Sequence, residues 1–109
     1  MYSYNKVTGF NDLYILEPNI FFDDRGYFYE VFNADEFYNN TGIKFDVVQQ
    51  NESLSFGNVI RGLHLQLPPY EQAKIVRCIK GSLIDIAFDV RENSPSKGKL
   101  FSTILTEDN

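Results

Sequence analysis

The residue types best suited to chemistry gather in Arg61-Gly62-Leu63-His64-Leu65-Gln66, followed by Leu67-Pro68-Pro69-Tyr70-Glu71-Gln72-Ala73-Lys74. His64 is the only histidine in the protein. Imidazole changes its protonation near neutral pH, so it suits proton transfer there. Arg61 stands just before it and Lys74 a hairpin away. The competing reading is a structural histidine in a half-buried strand. Two cations and a rim of amides so close by favour the site. One histidine, one cysteine and scattered carboxylates are a poor set for a transition metal, so the site reads as metal-free.

These residues need elements to position them. Residues 13–17 read as a strand ended by Pro18, with a second apolar burst at residues 20–22. Asp23-Asp24-Arg25-Gly26 is a turn, and residues 27–32 form an aromatic strand. Asn33 can cap a short helix over residues 34–38, with Asp35 and Glu36 in its first turn. Residues 39–42 stop it, and no other helix is expected. Strands follow over residues 45–51, 59–65, 73–79, 83–90 and 100–105. Pro68-Pro69-Tyr70 makes a rigid connection, and residues 80–82 make a hairpin turn. Short strands with Gly and Pro turns predict an all-β sandwich or barrel.

Period-two alternation sorts the strands into faces. Ile84, Ile86, Phe88 and Val90 share one face, and Leu83, Asp85, Ala87 and Asp89 the other. Asp85 therefore reads either as an inward, supporting carboxylate or as a surface one. Ile60, Gly62, His64 and Gln66 share one face of their strand, with Arg61 on the other. If Arg61 and His64 both line a site, the strand must be distorted between them, and Gly62 is the residue that allows it.

At 109 residues the chain reads as one small domain, residues 1–109, with a limited core. It is 43% hydrophobic and 16% aromatic, which is globular rather than disordered. The net charge of -5 argues against a nucleic-acid binder, which needs a basic face. An anionic ligand would need a local cationic pocket. The single cysteine excludes an internal disulfide and fits a reducing compartment. No apolar run is long enough to span a bilayer and the first residues do not read as a signal peptide, so a cytoplasmic protein is expected.

The stretch from Arg61 to Gln66, with Pro68-Pro69-Tyr70 and then Lys74-Ile75-Val76-Arg77-Cys78, resembles the dTDP-4-dehydrorhamnose 3,5-epimerase family. Further matches are Asp24-Arg25-Gly26-Tyr27-Phe28, Val48-Gln49-Gln50-Asn51, Asp85-Ile86-Ala87-Phe88-Asp89-Val90-Arg91 and Ser94-Pro95. The resemblance implies a cupin-like double-stranded β-helix, or jelly roll, incomplete at its C-terminal end. It implies no cofactor. Many cupins hold a metal with several histidines, but here Gln66 stands where a second histidine would.

The implied reaction moves protons at C3 and C5 of a dTDP-4-keto-6-deoxy sugar. His64 matches the family's base, and Lys74 its lysine, to which the stabilisation of the enolate is assigned. Arg61 matches the arginine that contacts the diphosphate. Arg25 and Glu30 resemble residues that reach in from a neighbouring subunit, which implies a homodimer. Gln49 and Asn51 resemble an amide pair, with Gln50 in place of the usual aspartate between them. Phe28 would form part of an apolar wall for the base. The family's enzymes continue beyond the match to Asn109, and their remaining part carries a second histidine, a tyrosine acid and the carboxylate that orients the base. Alone, this stretch is expected to catalyse poorly and to associate. The alternative is a non-catalytic dTDP-sugar-binding or dimerising cupin module.

Overall fold

The computed structural model describes residues 2–109. Its regular elements are strands β1 (Tyr2–Lys6), β2 (Tyr14–Pro18), β3 (Phe21–Asp23) and β4 (Gly26–Phe28), helix α1 (Ala34–Thr41), and strands β5 (Ser82–Phe88) and β6 (Leu100–Thr106). The strands pair antiparallel as three hairpins, β1–β2, β3–β4 and β5–β6.

Strand β1 is absent from the sequence expectation. Tyr2 and Tyr4 alternate with polar residues, and Tyr4 pairs with Leu16 across the hairpin. Tyr4 then packs edge-on against Phe37 of α1, ring centres 6.0 Å apart. The aromatic period of two was a legible signal for this strand.

Helix α1 begins where Asn33 predicts. The Asn33 side chain accepts from the Glu36 N–H at 3.0 Å, satisfying a donor that the helix itself cannot. The helix runs to Thr41, three residues further than expected. Asn40 and Thr41 extend it by donating to the Glu36 and Phe37 carbonyls, both at 2.8 Å. Gly42, at φ 72°, then ends it and donates to the Tyr38 carbonyl; the left-handed conformation suits glycine. Phe37 is 6% exposed and the only buried hydrophobic among the described residues. Phe32 and Phe45 close around it, with ring centres 5.9 and 5.6 Å away. This aromatic cluster is the core.

A second centre lies at the far end of β5–β6. Asp89 and Ser96 are buried. Asp89 accepts from the Ser94 and Ser96 hydroxyls and from the backbone and guanidinium of Arg91. Arg91 also pairs with Asp12 in the β1–β2 loop. Close by, Lys99 donates to the Gly9 carbonyl and Phe10 packs on Phe101. The two hairpins are thus pinned together. Arg91, Ser94 and Ser96 hold the Asp89 carboxyl far below the ordinary carboxylate range. Arg91 lowers Asp12 in the same way.

The strands expected over 45–51, 59–65 and 73–79 do not form, and the strand expected over 27–32 is confined to Gly26–Phe28. Residues 80–82 therefore do not close a hairpin with the preceding segment. Alternating apolar residues report a surface suited to pairing, whereas a strand exists only beside a partner. Residues 46–77 are exposed throughout. No described strand forms a hydrogen-bonded ladder with them.

Candidate active site

Most of the chemistry-bearing residues lie on this exposed connection between α1 and β5. Gly62 has φ 98° and so sits in the region glycine favours. The backbone thus turns between Arg61 and His64, which allows the two side chains to escape the opposite-face rule of a flat strand. Arg61 folds back onto its own loop, with Nε donating to Ser55 Oγ at 2.9 Å and Nη2 to the Leu54 carbonyl at 3.4 Å. The His64 ring lies over Gly62, where a β-carbon would stand 3.1 Å from Nδ1. His64 and Lys74 are exposed, and neither has a hydrogen-bond or ion-pair partner among the described residues. Gln49 Nε2 donates to Asn51 Oδ1 at 3.3 Å, so this amide pair is mutually oriented, while Gln50 between them is exposed.

The remaining candidates are carried by hairpins. Arg25 sits at the β3–β4 tip, where its guanidinium pairs with Asp23 at 2.5 Å. Arg25 also lowers the Asp23 carboxyl through its side chain and backbone N–H. Arg25 is almost fully exposed, so this pair adds little to stability and leaves the guanidinium available to an anion. Phe28 projects from β4 into solvent, opposite Phe21. Glu30 is half-buried beside Tyr2 and Tyr4. Burial raises both tyrosine hydroxyls, and nearby carboxylates, Glu30 among them, add to the shift. Asp85 is half-buried on β5 opposite Thr103.

One link joins these groups and was not singled out from sequence. Arg77 Nη1 donates to the Tyr29 hydroxyl at 2.6 Å. Tyr29 stacks on Tyr27, ring centres 6.0 Å apart. The bond fastens the segment that carries Lys74 to the one that carries Phe28 and Glu30. The partners are 48 residues apart in the chain, and no local pattern signals such a pairing.

A cavity of about 160 Å³ lies between β2, residues 76–78 and β6, lined in part by Leu16, Arg77, Cys78 and Leu105. Neither this cavity nor the shallower one beside Tyr2 and Asn19 includes His64, Lys74 or Arg61. Among the described residues no group of three His, Cys, Asp or Glu could hold a metal ion. No helix among them is long and apolar enough to cross a membrane.

Comparison with known proteins identifies the frame. The family model described as dTDP-4-dehydrorhamnose 3,5-epimerase matches residues 7–109. The dTDP-4-dehydrorhamnose 3,5-epimerase of Escherichia coli is 48% identical over 102 residues, covering 94% of this chain and 55% of that protein. The crystal structure of the dTDP-4-dehydrorhamnose 3,5-epimerase from Elizabethkingia anophelis superposes with a TM-score of 0.93 at 44% identity, covering 99% of this chain and 58% of that one. A dTDP-6-deoxy-D-glucose-3,5-epimerase from Legionella pneumophila, solved in complex with dTDP-4-keto-L-rhamnose, superposes with a TM-score of 0.91 at 37% identity. It covers all of this chain and 57% of its own.

Three antiparallel hairpins and a long connection on this path make up part of a cupin jelly roll. The chain belongs to the dTDP-4-dehydrorhamnose 3,5-epimerase family. It spans about half the length of the curated relatives it matches. The segments expected as strands therefore follow a jelly-roll course even where they make no ladder.

Proposed function

We propose that this protein, as a single domain, binds a dTDP-4-keto-6-deoxy sugar and serves its epimerisation at C3 and C5. The observation that carries this reading is the 48% identity to the Escherichia coli enzyme over 94% of the chain. The Legionella relative's complex with dTDP-4-keto-L-rhamnose supports the ligand class.

In this reading His64 removes the proton from a carbon next to the ketone. Such a proton is weakly acidic, so the enolate oxygen must be stabilised as it forms. Lys74 supplies the positive charge that offsets the developing enolate. Arg61 takes the diphosphate, for which the planar guanidinium offers paired donors. Arg25 and Glu30 contribute from the neighbouring subunit of a homodimer, and Phe28 adds an apolar wall. Gln49, Gln50 and Asn51 present amides to the ligand, and Asp85 supports the site from β5. The chemistry needs no metal or cofactor, and the protein acts in the cytoplasm without nucleic acid or membrane as partner.

A second reading, a module that holds the dTDP-sugar without turning it over, draws on the open state of His64 and Lys74. A base works best when a third group orients it, and no described carboxylate bonds either side chain. Incubation with dTDP-4-dehydro-6-deoxy-D-glucose in heavy water separates the two. An enzyme incorporates deuterium at C3 and C5, and His64→Asn abolishes it. Binding without incorporation favours the module, and normal exchange in the variant removes His64 from the mechanism.

A further inference from the structure

We propose that Gly62 is a positioning residue for His64: it is glycine so that the imidazole can lie back across its Cα. This rests on the reading of His64 as the base. A β-carbon on Gly62 would stand 3.1 Å from His64 Nδ1, 3.3 Å from the His64 backbone nitrogen and 3.7 Å from Cε1. The first two are closer than ordinary van der Waals contact, and the second is to backbone, which cannot swing away. The imidazole would have to leave its place, or the chain between the two residues would have to shift.

Positive φ alone does not explain the residue. Gly57 also has positive φ, 53°, but a β-carbon there meets nothing within 4 Å. Gly57 thus answers only to backbone conformation, whereas Gly62, at φ 98°, answers to conformation and to the ring above it. The contrast matters because His64 has no hydrogen bond among the described residues to hold its ring. The surface of the Gly62 Cα is a support for the ring. Catalytic geometry is sensitive on this length scale: a displacement of about 1 Å can cost about 10²-fold in rate.

The single histidine allows a test that does not depend on turnover. In the ligand-free protein, the nuclear Overhauser effect from His64 Hε1 to the Gly62 Hα protons reads the contact directly. The inference expects that effect in the parent protein, together with Hα–Hβ couplings of His64 that report one dominant rotamer. Gly62→Ala should change those couplings and move the Hε1 resonance. Gly57→Ala, which carries the same kind of backbone penalty, should leave both as in the parent. Absence of the effect in the parent overturns the inference even if Gly62→Ala does not fold. An unchanged His64 signal in a folded Gly62→Ala protein, or the same change in Gly57→Ala, also overturns it. Failure of the epimerase reading would leave these signals untouched, so the two are distinguishable.

Discussion

Arg61 and His64 sit on opposite faces of any regular strand, which conflicts with a shared site. The sequence pointed to Gly62 as the place where that conflict could be relieved, and Gly62 has φ 98°. The candidate side chains were picked by residue type, because few residue types move protons or grip diphosphate. Their surroundings were not legible. Nothing local in the sequence announces that Arg61 leans on Ser55 and the Leu54 carbonyl, or that Arg77 reaches Tyr29. With two of its donors held by the loop, the Arg61 guanidinium is oriented before ligand arrives and keeps others free. A hydrogen bond to a charged group contributes about 1.5–3 kcal/mol. Arg61→Ala should therefore weaken dTDP binding by about 10- to 100-fold, as measured by calorimetry. Unchanged affinity would place the diphosphate elsewhere.

Elements whose signals are local came through from sequence with small shifts. Asn33 caps α1 as expected, and Gly42 ends it. Strands β5 and β6 pair over residues close to those predicted. Elements that depend on distant partners did not: residues 45–51, 59–65 and 73–79 have strand-like sequences but pair in no ladder among the described residues. Asn33→Ala should lower stability by about 1 kcal/mol through loss of the cap, read as a lower denaturant midpoint. The Asp89 network makes a different prediction. Its carboxyl and that of Asp12 are held below their ordinary values, chiefly by Arg91. In the unfolded chain they return to about 3.9, so the unfolded state binds more protons as pH falls. Their contribution is present above that value and is lost progressively as pH drops toward the folded values. Thermal stability should decline on acidification below about pH 5. Asp89→Asn should lower stability at neutral pH and flatten that decline. An unchanged acid profile in the variant would assign the pH dependence to other carboxylates.

Among the described residues one hydrophobic side chain is buried, while Ile84, Ile86, Phe88, Leu100 and Ile104 lie exposed across the β5–β6 hairpin. An open apolar sheet face and unpaired edges both promote association. At about 25 cal/mol per Å² of apolar surface, covering such a face is a strong drive. Light scattering should show dimers or larger species whose proportion rises with concentration. A constant monomer mass would mean that these faces tolerate water. The central claim is that His64 belongs to a dTDP-sugar site. The most direct measurement follows the one imidazole resonance of the protein while dTDP-4-dehydro-6-deoxy-D-glucose is added. The account predicts a saturable shift of His64 Hε1, reversed by competing dTDP and weakened in Arg61→Ala. A resonance that stays fixed while the sugar nucleotide binds, or no binding at all, would contradict it.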